Sequence, residues 1–440
     1  MDWDIVIDFL LLRDPNVRYV VLGSVLIGAS AALTGCFLFL RKRALVGDAI
    51  AHAVLPGICL AFLVFKTKNP AILLAGAILT GWLSLLFIDW ITNKSRIKTD
   101  TAIGLTLSWF FGIGIMLLTA IQKTGNASQT GLDKFIFGKA ASMVDQDVFV
   151  FGGLSIVVIL VIFLFFKPLK LISFDRDFAS SIGLPVGRYD FLLSTLTVLA
   201  VATGIQAVGV VLMAALLITP AAAARFWTDK LKRMLLLAAT FGAFSGIVGA
   251  FISYTTPRMP TGPWIVIVIS VIAIFSFLFG AKKGLVVRQV RQQKMQRKIL
   301  RENILKLFYK LAEEDGQLYE QRGVDQLTNR RFFIPSQLKT GLQQLLKENL
   351  LEKADLDYRF TEKGVEEGKR ITRLHRLWEM YLTQYLKIAP DHVHDDAEAI
   401  EHIITPEIEA ELVHQLEMPE LDPHDSTIPY GEKLPNKIKD

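Results

Sequence analysis

Cysteine is almost missing from this 440-residue chain. Cys36 and Cys59 are the only two, and both fall in apolar stretches, so neither a disulfide framework nor a zinc–thiolate site is implied. No segment reads GxxxxGK[ST], so the chain carries no P-loop, and any ATP hydrolysis has to come from another polypeptide. The N-terminus lacks the basic-then-apolar pattern and cleavage site of a secretory signal. WDIVIDFLLL is short and contains Asp4 and Asp8, which fits an interfacial helix better. A dominant charge sign is missing too: the net charge of +6 is modest and does not by itself argue for nucleic acid.

Apolar residues are abundant instead, at 52% of the chain with a mean hydropathy of +0.41. Up to about residue 280 they form blocks near the ~20-residue length that crosses a bilayer as a helix. Spans are expected at 17–40, 49–65, 70–91, 101–121, 147–166, 189–206, 207–221, 234–255 and 264–280. The run LLSTLTVLAVATGIQAVGVVLMAALLITPA is either one long span or two short ones around Gly204 to Gly209. The basic clusters at 41–43, 93–98, 165–170, 225–233 and 281–283 all face the cytoplasm only if this run crosses twice. Nine spans follow, with the N-terminus outside, the 122–146 loop outside and the C-terminus inside. Lys66, Lys68, Lys123 and Arg258 in the outward loops make the bias imperfect. Small residues are dense in GSVLIGASAALTG and GAFSGIVGA, a spacing that lets helices pack closely in lipid.

The chemistry begins at GDAIAHAVLPG. Asp48 and His52 stand four residues apart, on one face of a helix and one turn from each other. A carboxylate inside a bilayer is costly and marks a functional site by default. A shared divalent cation lowers that cost by supplying compensating charge. Carboxylate plus imidazole without thiolate suits Mn²⁺, Fe²⁺ or Zn²⁺ better than Cu⁺. The plain alternative is that Asp48 caps the second span and His52 packs on a neighbour.

LVGDAIAHAVLPG, GVVLMAALLITPAAAA (209–224) and PRMPTGP (257–263) resemble, in order, motifs of the membrane permeases of ABC metal-uptake systems. FDRDFASSIGLPVGRYD (174–190) is similar to that family's coupling region, where a cytoplasmic loop helix docks on the ATPase subunit. The likeness covers roughly residues 15 to 282. It implies that Asp48 and His52 line a metal path. It also implies two permease subunits working with an ABC ATPase subunit and an extracytoplasmic metal-binding protein.

From about residue 284 the chain turns charged. VVRQVRQQKMQRKILRENILKLFYKLAEEDG reads as a basic amphipathic helix. The following stretch to about 370 reads as helix, turn, two short strands and helix, a winged-helix pattern, with Ser336 as the cap of the helix carrying Leu338, Leu342, Leu345 and Leu346. Two more helices are expected between 371 and about 415, and an irregular tail after Pro419. Six of the seven histidines lie beyond residue 374. His375 and Glu379 are spaced i, i+4, and His394, Glu398, Glu401 and His402 fall on one helical face. A solvated acidic face is the ordinary reading of such a pattern; two interlocked His/Glu pairs favour metal ligation.

RLHRLWEMYL, VHDDAEAIEHIITPEIEAEL and DPHDSTIP resemble the dimerisation and metal-binding domain of repressors of the diphtheria toxin repressor and manganese-regulator type. The resemblance implies one metal site from Glu398, Glu401 and His402, and another from His375, Glu379 and His394. It departs at Asn303 and Lys306, where ligands are expected, and this puts the first of those sites in doubt. Arg330, Arg331, Lys339, Lys347 and Arg359 give the winged helix some basic character. Glu348, Glu352, Asp355, Asp357 and Glu362 nearly cancel it, which leaves DNA binding open.

The expected architecture is an all-α polytopic membrane domain of about nine transmembrane helices (1–283), a linker helix and winged-helix domain (284–370), and a helical metal-binding and dimerisation-like domain with a tail (371–440). A multi-pass permease of the cell membrane, with its C-terminal region in the cytoplasm, is the leading reading. A membrane-anchored, metal-responsive DNA-binding regulator is the alternative. An anchor would need one or two spans and no intramembrane Asp/His pair, so the span count favours transport.

Overall fold

The structure, a computed structural model, describes residues 3–430 apart from 68, 124–137, 139–142, 144, 257–258, 389–399, 401 and 403. Two compact units divide the chain, Met1–Arg288 and Gln289–Asp440.

The first unit is helical throughout its described residues. A short helix α1 (Trp3–Leu10) is followed by α2 (Pro15–Leu40), α3 (Val46–Phe65), α4 (Pro70–Lys94) and α5 (Thr99–Lys123). Next come α6 (Asp145–Leu164), the short α7 (Phe166–Phe174) and α8 (Arg176–Ser181), and then α9 (Val186–Val208), α10 (Val210–Arg225), α11 (Leu231–Thr255) and α12 (Thr261–Phe279). Eight of these are long and apolar enough to cross a membrane. The ninth, α10, has 16 residues, short of the ~20 that a full crossing takes. The starts of α2 and α4 follow local rules. Asp14 and Asn69 accept the N–H groups of Asn16 and Ala71, each just ahead of a proline at the first helical position,.

The break in the 186–225 run falls at Gly209, with φ 84° and ψ 168°. That conformation is essentially reserved for glycine, so the run becomes two helices, with Gly204 inside the first. Gly28 of α2 and Gly242 of α11 show why small residues crowd those spans. A Cβ on either would meet the other's carbonyl oxygen, at 2.6 and 2.4 Å, so the two helices touch backbone to backbone. Helix α1 is held to this bundle by Phe9, buried with Val17, Val20 and Ala250.

In the second unit α13 (Leu285–Asp315, beginning just before the unit boundary), α14 (Val324–Arg330), α15 (Pro335–Lys347) and a hairpin of β1 (Leu351–Ala354) and β2 (Asp357–Phe360) form the winged-helix arrangement. The strands pair antiparallel, with Leu351 opposite Phe360 and Ala354 opposite Asp357. Ile304, Phe308, Leu327, Leu342, Leu345 and Phe360 make its core. Helix α15 starts at Pro335 with Ile334 as its cap residue. Ser336 therefore lies in the first turn and does not cap, because the preceding proline already fixes the helical entry.

Helix α16 (Glu362–Tyr385) runs through residue 370, and α17 (Pro406–Gln415) packs after it. The chain from 416 to 430 is irregular yet anchored: Ile428 is buried with Leu377, Val413 and Leu416. Arg376 ties this segment down through Glu313 at 2.6 Å and Asp422 at 3.4 Å. Burial works against the Arg376 charge, but Glu313 and Asp422 more than offset it and raise its pKa.

Candidate metal sites

Asp48 sits in the first turn of α3 and His52 one turn on. Their approach, Nε2 to Oδ1, is 3.6 Å, longer than a good hydrogen bond. The pair is therefore near enough to share an ion without being closed on itself. His52 Nδ1 is buried and has no hydrogen-bond partner among the described residues, and the ring stands edge-on to Phe111 of α5 at 4.7 Å. Pro56 has no N–H to give the His52 carbonyl its usual i+4 bond, which leaves a further hard oxygen on the same helix. Among the described residues no third His, Cys, Asp or Glu joins them to make a protein-only metal cage. Two protein ligands and open coordination positions suit an ion in passage better than one held permanently.

The segment from 174 to 190 forms a charged clasp. Asp190 of α9 accepts from Arg41, just after α2, at 2.8 Å, and pairs with Arg176 of α8 at 2.6 Å. Asp175 caps α8 by accepting the Phe178 N–H. Gly183, with φ 83°, turns the chain into α9. Phe174, Phe178 and Ile182 around this short helix are exposed.

In the second unit the residues singled out from the sequence divide into two groups. His375 and Glu379 of α16 meet at 3.0 Å, Nε2 to Oε1, both deeply buried. Lys306 of α13 lies against the other nitrogen of that ring, Nζ to Nδ1 at 3.5 Å. Asn303, also on α13, lines the same cavity, its Oδ1 buried without a hydrogen-bond partner among the described residues. His402 instead meets Glu302, Nδ1 to Oε2 at 2.7 Å. His394, Glu398 and Glu401 lie outside the described residues.

Both departures from the repressor pattern therefore fall on the His375 group, whereas the sequence reading attached them to the group of His402. Glu302, one position before Asn303, was missed by that reading. The signal for it was present: Glu302 is the only acid between Leu285 and Ala312 of α13, and it is buried. A buried imidazole and a buried carboxylate suit a borderline divalent ion, although Glu302 also pairs with Arg301 at 3.4 Å and Lys298 at 3.8 Å. The His375 group fits one poorly, because an ammonium occupies its edge.

The family model of the ABC 3 transport family matches residues 13–280, and that of the iron dependent repressor, metal binding and dimerisation domain, matches residues 361–430. The manganese transport system membrane protein MntC of Bacillus subtilis is 40% identical over 382 residues, 87% of each chain. That span is longer than the first unit alone. The zinc transport system membrane protein TroC of Treponema pallidum is 42% identical over 285 residues, 65% of this chain and 96% of its own. The solved structure of PsaBC from Streptococcus pneumoniae in complex with Fab aligns with a TM-score of 0.58 at 35% identity, covering 67% of this chain and 100% of that one. An apolar helical bundle with an Asp–His pair, followed by a winged helix and buried His/Glu pairs, is thus a multi-pass membrane permease of the ABC 3 transport family to which an iron-dependent-repressor-type domain is joined.

Proposed function

We propose that this chain is the permease of an importer for a divalent transition-metal ion, Mn²⁺, Fe²⁺ or Zn²⁺, and that its C-terminal region senses the same class of ion in the cytoplasm. The observation that carries the reading is the Asp48–His52 pair, open to a shared ion on an apolar helix. Relatives named for manganese and for zinc transport support the substrate class. Two permease chains form the path, an extracytoplasmic binding protein delivers the ion, and a separate ABC ATPase supplies the energy that a chain without a P-loop cannot. The exposed Phe174, Phe178 and Ile182 give that ATPase an apolar knob to grip, and the Asp190 clasp ties the knob to the end of α2.

The sensing role rests on His402 with Glu302, to which the repressor resemblance adds Glu398 and Glu401. Metal at a buried imidazole–carboxylate centre would favour whichever conformation binds it more tightly. Inhibition of import by accumulated metal is the sense we favour. The test is uptake of labelled Mn²⁺, Fe²⁺ and Zn²⁺, each in turn, into cells expressing the chain with its ATPase and binding protein, with the other two ions as competitors. Uptake above control cells, reduced by at least one competitor, is expected; none for any of the three ions would refute the transport reading.

A further inference from the structure

Lys306 is an unusual residue to find where a regulatory cation is expected. Its side chain is buried, and its Nζ stands 3.5 Å from His375 Nδ1. An ammonium has hydrogens to give and no lone pair to receive, so Nδ1 must be the acceptor. The imidazole is then neutral with its proton on Nε2, and Nε2–H donates to Glu379 Oε1 across 3.0 Å. Both ring nitrogens are thereby committed. The charge of the carboxylate is thus opposed, through the ring, by the charge of the lysine.

A divalent ion entering here would need an imidazole lone pair that the lysine already holds. It would also face that ammonium at close range, with twice the repulsion of two single charges. The rest of the cavity, about 740 Å³, adds to the opposition: Lys310, Arg330, Arg331 and Arg376 line it along with Lys306, against Glu314, Glu379 and Asp422. The structure therefore assigns Lys306 as a built-in cation in place of a metal at the His375–Glu379 centre. This deepens the sensing role proposed above and rests on it. The bond between α13 and α16 that a metal would make conditionally is made here permanently.

Counting Mn²⁺ bound to the purified full-length chain in detergent tests the assignment. His375→Gln should leave the number of bound ions unchanged, and His402→Gln should lower it by one. Lys306→Glu should raise it by one, since a second carboxylate would then stand with Glu379 beside the His375 ring and Asn303 Oδ1; adding His375→Gln should cancel that gain. Loss of one ion in a folded His375→Gln chain would overturn the assignment. If His375→Gln does not fold, the Asp48→Asn/His402→Gln chain decides, because its His375 centre is intact: absence of bound Mn²⁺ supports the built-in cation, and Mn²⁺ bound there, lost on adding Glu379→Gln, overturns it. No change on His402→Gln would instead count against metal sensing at that residue, a separate result.

Discussion

Arg376 illustrates what a single buried charge does in the soluble unit. Its guanidinium holds Glu313 of α13, Asp422 and the Thr427 carbonyl at once, and so pins the irregular 416–430 segment to two helices. Replacing it by alanine leaves Asp422 buried with its charge unmatched, a change that costs on the order of 3 kcal/mol. Hydrogen exchange of the Asp422 and Ile428 amides, both hydrogen-bonded within the segment, should accelerate by about 100-fold in Arg376→Ala if this segment opens as one unit. Unchanged protection would mean that Ile428 and Tyr430 hold it alone. Residues of this kind are poorly legible in sequence. Arg376 and Glu313 are 63 positions apart, and His402 and Glu302 are 100 apart. Asp48 and His52 were legible because a helix fixes their separation at one turn.

Helices were read from their periodicity and punctuation, and the misplaced details have local causes. Gly204 to Gly209 bracketed the break in the 186–225 run, but only the backbone angles pick out Gly209. Ser336 looked like a cap because serine favours that role, yet Pro335 starts the helix one residue earlier. Helix α8 was recognisable through Asp175 and Pro185, whereas the clasp that holds it, Arg41 to Asp190 to Arg176, joins residues distant in the chain. If that clasp relays motion from the ATPase to the bundle, Asp190→Asn should lower metal uptake by about tenfold, within the range of coupling free energies. ATPase binding should be kept, since the exposed apolar residues are untouched. Full uptake at equal membrane levels would remove the clasp from the coupling route.

Across the whole molecule, the two units divide the labour: the first holds the Asp48–His52 pair and the loop helix, the second the buried His/Glu pairs. Charge returns to the sequence near residue 284, close to the boundary between the two compact units. What composition could not reveal was that Asn303 and Lys306 fall beside His375 while Glu302 meets His402, because that depends on which face of α13 turns toward each histidine. Removing residues 289–440 should leave metal uptake in place, because the path and the loop helix lie upstream. It should abolish the decline of uptake that accumulated internal Mn²⁺ otherwise causes. Persistence of that decline in the truncated chain would place the sensing elsewhere.

The central claim is that an ion passes between a carboxylate and an imidazole on α3. Uptake of labelled Mn²⁺ by Asp48→Ala and His52→Ala chains, measured at membrane levels matched to the unaltered chain, tests it most directly. Removing a carboxylate from an apolar helix eases insertion, so lost expression would not be the cause of a defect. Both substitutions are predicted to abolish uptake while leaving the chain in the membrane; unaltered uptake rates in both would contradict the account.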